Sequence, residues 1–158
     1  MPTPFDHDHL SDRDLLTLRV RVEAEMVRRG LSFSVGAIGE DLAIDHFNST
    51  PGLPTLLAAP PGTKNVDALS RDGERYSIKT LLRAKKTGTI YPDADDPDRQ
   101  LFEFLLIVRL DANYTLSAIY RFSWAEFVEL RSWDRRMSAW YLGASSRVLS
   151  VGEAVLKP

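Results

Sequence analysis

The sequence predicts an α/β fold, bordering on α+β, built as a single mixed β-sheet flanked by helices. Three observations lead there. Two N-terminal segments, 11–29 and 35–47, repeat apolar residues at three- and four-residue spacing. Apolar runs of strand length fill the middle of the chain, separated by Gly, Pro and Asp turns. A capped helical segment follows them, so helices bracket the strands. The 158 residues suit one domain, and 44% hydrophobic with 27% charged residues is globular rather than disordered composition. No apolar run approaches the roughly 20 residues of a membrane helix, and no signal-like leader opens the chain, so no membrane partner is expected. Cysteine is absent, which excludes disulfides, thiolate metal sites and a thiol nucleophile and suits a reducing, cytoplasmic setting. The 20 Lys and Arg against 22 Asp and Glu give a net charge of −2, no whole-chain signal for nucleic acid.

The elements are justified in order. Residues 1–10, with two prolines and the run Asp6-His7-Asp8-His9, read as a flexible, solvated tail rather than a metal site, and residues 11–158 as one domain. Ser11 is an N-cap, Asp12 and Asp14 suit the first turn, and Leu15, Leu18, Val22 and Met26 make an apolar stripe. Arg28-Arg29-Gly30 ends that helix at about residue 29. Ser34 caps a second helix over 35–47 with Ile38, Leu42, Ala43 and Phe47 on its buried side. A short strand at 55–59 stops at Pro60-Pro61-Gly62. Strands at 65–70 and 74–82 flank Arg71-Asp72-Gly73, and a polar loop over 83–100 is unusually long for a compact domain. The apolar strands 101–110 and 115–122 form a hairpin through Asp111-Ala112-Asn113. Ser123 and Glu126 form a capping box for a helix running to about Trp133. The tail holds a short strand at 147–150 and a final helical turn.

The register of the 65–82 hairpin decides where its polar residues point. A two-residue Asp72-Gly73 turn mixes polar and apolar residues on both faces. A three-residue loop with Gly73 left-handed at a bulge pairs Ala68 with Tyr76, Val66 with Ile78, Asp67 with Ser77 and Asn65 with Lys79. That register sends Val66, Ala68, Tyr76 and Ile78 to the core and gathers Asn65, Asp67, Ser77 and Lys79 opposite. Burial selects it, because a one-residue slip flips every side chain. Taken alone, an Asp–Lys pair across two strands is an ordinary surface ion pair, and Glu40 an ordinary solvated helix residue.

Asp67, a turn, and then Ser77-Ile78-Lys79 resemble the core of the PD-(D/E)XK restriction-endonuclease-like superfamily, and Gly39-Glu40 in the preceding helix is similar to its Gly-Glu pair. Small bacterial members with an x-Ile-Lys-Thr strand look closest, here Ile78-Lys79-Thr80. The resemblance spans roughly residues 35–122. It implies a nuclease fold, Mg²⁺- or Mn²⁺-dependent hydrolysis of phosphodiester bonds in DNA or RNA, and a catalytic set of Asp67, Lys79, Glu40 and Ser77. Asp67, Glu40 and the Ile78 carbonyl would hold the metal, and Lys79 would orient water or neutralise phosphate. Thr80 points to the opposite face and is structural. Ser77 departs from the pattern, which places Asp, Glu or Gln there. A hydroxyl brings less charge to a hard cation, so a catalytically inactive domain of the same fold, binding nucleic acid or a protein partner, is the alternative.

A polyanion needs cations near the site. Lys79, Arg83, Lys85 and Lys86 follow one another with no acid between them, and Lys64 precedes the hairpin, so Lys64, Arg83, Lys85 and Lys86 are the candidate phosphate contacts. Arg131, Arg135 and Arg136 interleave with Trp133 and Trp140, which read as core or dimer residues before they read as a base-stacking surface. The Asp93–Asp98 run reads as a solvated loop. His46 reads as a helix-end residue, not a ligand. A third possibility is an interaction module that forms a homodimer through the 101–122 hairpin or the C-terminal region.

Overall fold

A computed structural model of the chain describes residues 6–31 and 34–158; residues 1–5 of the expected tail lie outside the described residues. The chain divides into two compact units, Met1–Phe33 and Ser34–Pro158, and the second carries the sheet.

The first unit holds one helix, α1 (Asp12–Arg28). The Ser11 side chain caps it by accepting from the Asp14 N–H, and Asp12 and Asp14 lie in its first turn, as the sequence predicts. Gly30 is left-handed at φ 68°, and the Gly30 and Leu31 N–H groups close on the Val27 and Met26 carbonyls. That bond pattern is a Schellman termination. No residue of α1 is buried.

The second unit begins with α2 (Val35–Ser49), capped by the side chain of Ser34. Then come β1 (Leu56–Ala58), β2 (Ala68–Ser70), β3 (Arg75–Leu81), β4 (Phe104–Leu110) and β5 (Leu116–Ser123). The helix α3 (Trp124–Leu130) carries the predicted capping box of Ser123 and Glu126. A small hairpin of β6 (Ser132–Asp134) and β7 (Ala139–Tyr141), the turn α4 (Ser146–Leu149) and β8 (Glu153–Leu156) complete it. Six strands form one mixed sheet in the order β1-β2-β3-β4-β5-β8, with β3 and β4 parallel and the other neighbours antiparallel. Helices flank that sheet, in agreement with the predicted α/β class.

The parallel pairing explains the long polar segment. Parallel neighbours need a crossover of a dozen or more residues, and residues 82–103 supply it without a helix. Ile90 and Phe102 anchor this crossover in the core, and its isolated bridges at Lys86 and Ile90 meet Gly143 and Trp140. At the start of the parallel pair, the Arg75 guanidinium grips Glu103 with two bonds of 3.0 and 2.8 Å, and the Arg75 N–H donates to the same carboxylate.

Both faces of the sheet are covered. Ala43 and Phe47 of α2 pack on Tyr76, Ile78, Leu106 and Val108, while Phe127 of α3 and Val148 of α4 pack with Leu105, Ile107 and Phe122 on the other face. Central strands covered on both faces read as continuous apolar runs, which is why β4 is almost uniformly hydrophobic. β4 and β5 are therefore interior, with Leu105 to Val108 fully buried in their own chain. β1 is a short edge strand, preceded by Pro54 and followed by Pro60 and Pro61.

Three expected boundaries are corrected. The third helix stops at Leu130, because Arg131 turns extended and leads into β6, so Trp133 lies in a strand. In the tail the order is reversed: the helical turn comes at 146–149, around the buried Val148 and Leu149, and the strand at 153–156. The strand expected from residue 65 begins at Ala68, because Asn65 is left-handed at φ 60°.

One contact fixes α2 on the sheet. A Cβ placed on Gly39 meets Thr80 Oγ1 at 1.9 Å, Cγ2 at 2.4 Å and Cβ at 2.7 Å. Only glycine permits that approach. Gly39→Ala should destabilise the second unit by about 1–3 kcal/mol through overpacking. Thr80→Ala should restore part of the loss, both read from urea unfolding.

Candidate metal and phosphate site

The hairpin of β2 and β3 adopts the predicted register, with Ala68 opposite Tyr76 and Leu69 opposite Arg75, and Gly73 is left-handed at φ 80°. Val66, Ala68, Tyr76 and Ile78 are all buried, as that register requires. Beyond Ala68 the ladder gives way. Asp67 takes over with both its groups: its N–H donates to the Tyr76 carbonyl at 2.8 Å, and its Oδ2 accepts the Ile78 N–H at 2.6 Å. A carboxylate thus stands where a strand would offer a carbonyl, a charge-assisted bond stronger than the one it replaces. Asn65 does not pair with Lys79; its side-chain amide donates to the Tyr91 carbonyl instead.

Glu40 follows Gly39 and is half-buried. Burial pushes its carboxyl above the usual carboxylate range, and the charges of Asp67 and Asp41 push it further, while the Lys79 ammonium pulls it back. The charges of Asp67 and Lys79 thus both act on Glu40. Ser77 shares Lys79's side of the strand, since residues two apart in a strand do. It is only 1% exposed, and its Oγ has no hydrogen-bond partner. Thr80 lies toward α2 against Gly39, a structural position in keeping with its expected role.

Among the described residues, no group of three or more His, Cys, Asp or Glu side chains is placed to hold a metal ion. The donor set is two carboxylates, Glu40 and Asp67, beside the Ile78 main chain and an orphaned buried hydroxyl. Mg²⁺ is commonly held by one or two carboxylates, with waters and substrate phosphate completing its shell, so this set fits such an ion. His46 is half-buried at the last turn of α2, its Nε2 buried without a partner.

The cations fall into two groups. Arg83 and Lys85 are exposed and form no salt bridge among the described residues. Lys86 reaches Asp134 at 3.7 Å and lies 4.5 Å from the Tyr141 ring centre, so it is partly committed to the β6–β7 hairpin. Lys64 is exposed and its charge acts on Asp93. The acidic loop is folded on itself: Asp93 accepts from the Asp95 and Asp96 N–H groups and pairs with Arg99 at 3.0 Å. Trp133, expected as a core or dimer residue, is 43% exposed and so not part of the core; it stacks edge-on against Trp140, which the Arg131 guanidinium covers at 3.8 Å. Sequence reasoning missed the carboxylate bond to Ile78 and the contact of Gly39 with Thr80. The Gly39-Glu40 pair was the visible signal for the second.

No family model matches the chain, and no curated protein matches it. Among the described residues no helix is long and apolar enough to cross a membrane.

The raised Glu40 carboxyl has a sign. The native state holds this proton more tightly than the unfolded chain, so its contribution is fully present below the unfolded value. It is lost as pH rises through the raised folded value. Glu40→Gln should therefore be more stable than the parent at neutral pH and lose that advantage in acid, measured by urea unfolding between pH 4 and 8.

Proposed function

We propose that the protein is a divalent-metal-dependent phosphodiesterase of the PD-(D/E)XK type, acting on DNA or RNA in the cytoplasm. The observation that supports this most is that the charges of Asp67 and Lys79 act on the half-buried Glu40 carboxyl, while the Ile78 N–H of β3 fixes the Asp67 carboxylate. Glu40 and Asp67 would hold Mg²⁺ or Mn²⁺, with the Ile78 carbonyl completing the protein's share. Such an ion lowers the pKa of a bound water and offsets charge on the phosphate.

The chain's own residues supply the rest. Asp67 is held in place by the Ile78 N–H, so its free oxygen is oriented before any ligand arrives. Glu40, destabilised as an anion by burial and by Asp67, would be relieved by a bound cation. Lys79 offers a fixed positive charge to the phosphate oxygens, where negative charge grows as the water oxygen bonds to phosphorus and the bond to the leaving oxygen breaks. Arg83 and Lys85 are free to meet flanking phosphates, so binding should weaken with salt.

Ser77 favours a second reading. A hydroxyl where a third acid is usual supports a domain that binds nucleic acid without cleaving it. One set of measurements separates the two. On the first reading, Mn²⁺ or Mg²⁺ supports cleavage of mixed DNA and RNA substrates, and Asp67→Asn and Lys79→Met each lower the rate about 100-fold or more. Asn at 67 keeps an oxygen for the Ile78 N–H, so the fold should persist. Mg²⁺ should also raise the unfolding midpoint of the parent and not of Glu40→Gln. Unchanged cleavage in both variants rules out this site. Salt-sensitive binding without turnover or a metal effect selects the second reading.

A further inference from the structure

The helix α1 poses a physical problem. It has 17 residues and buries none of them, yet a helix of this length in water is marginal without packing along its apolar face. That face exists. Leu15, Leu18 and Val22 are 37%, 44% and 46% exposed and, with Met26, follow one another at three- and four-residue steps. They line two shallow apolar depressions along the helix.

We propose that this face pairs with the same face of a second copy of the chain, in an antiparallel, two-fold arrangement. The stripe is close to its own complement when reversed about residue 20: Leu18 then faces Val22, and Leu15 and Met26 come within one residue of facing each other. A two-fold interface demands such self-complementarity.

Charge selects the direction. The first turn carries Asp12 and Asp14 around Arg13 and is net negative. At the other end Arg28 and Arg29 both bond the single carboxylate of Glu25, at 2.6 to 2.8 Å, which leaves that end net positive. At mid-helix, Arg19 is neutralised by Glu23 at 3.0 Å. An antiparallel pair sets each acidic turn beside a basic one and opposes the two helix dipoles favourably. A parallel pair sets acid on acid and arginine on arginine, which opposite-end pairing avoids. The occupant that fits both the stripe and the charges is therefore another α1.

The absence of cysteine makes the test direct. Sedimentation equilibrium of the full chain should give twice the chain mass. Leu18→Glu with Val22→Glu should give a single chain, while the urea unfolding of the second unit stays unchanged. For direction, Leu15→Cys and Met26→Cys proteins are treated with a short bifunctional thiol reagent, separately and mixed. In the antiparallel pair like positions are about 16 Å apart along the axis, so only the mixture should cross-link. A single chain at every concentration up to about 1 mM overturns the proposal. So does a dimer that survives the double substitution, or cross-linking of either cysteine variant alone. None of these readouts involves nucleic acid or metal, so they stand or fall apart from the phosphodiesterase reading.

Discussion

The close approach of α2 to β3 at Gly39 and Thr80 organises the rest of the second unit. With no side chain at 39, the helix lies against the strand at a distance that any Cβ would prevent. Chain continuity then does the placing. Glu40 follows Gly39, and Lys79 precedes Thr80, so the two charged residues flank the contact that holds their elements together. Asp67 joins them because β2 gives up its ladder at Ala68 and Asp67 caps the Ile78 N–H. A Gly-Glu pair on a helix and a Lys-Thr pair on a strand are thus one device, half steric and half electrostatic.

The same geometry sets two demands against each other. Glu40 and Asp67 disfavour each other's charge, and burial disfavours that of Glu40. The Ser77 hydroxyl is buried with no partner, a loss of about 1–3 kcal/mol relative to a satisfied group. A fold optimised for stability alone would neutralise or pair such groups. Asp67 differs, since its side chain also supplies a hydrogen bond to the main chain. Its structural duty and its proposed chemical one are separable only by a substitution that keeps an oxygen there.

What was legible in the sequence was local. Ser11, Ser34 and Ser123 announce helices because a capping hydroxyl satisfies the N–H groups a helix start leaves open. Gly73 announces the bulged turn, and the alternation around it fixes which side of the hairpin Tyr76 and Ile78 face. For the candidate site, the sequence offered Gly39-Glu40, Asp67 and Lys79, and in the structure the charges of Asp67 and Lys79 act on Glu40. What escaped was non-local or ambiguous. The parallel pairing of β3 and β4 joins segments across a crossover with no helix to advertise it. Asn65 takes a left-handed conformation that its residue type tolerates but does not demand. Val148-Leu149 is a short apolar run, which suits a buried helical turn as well as a strand.

The borders of the sheet carry a consequence of their own. β1 runs for three residues between Pro54 and the Pro60-Pro61 pair, and β8 for four. Prolines lack the N–H that a newly arriving strand needs, and so short a rim offers too few groups for it to zip onto. The long, apolar, aggregation-prone strands β4 and β5 are kept two or more places inside that rim on one side and sheltered by β8 on the other. A chain built this way resists templated fibre growth and is closed to capture of extended peptides along its sheet, even though its central strands have the composition of an amyloid core.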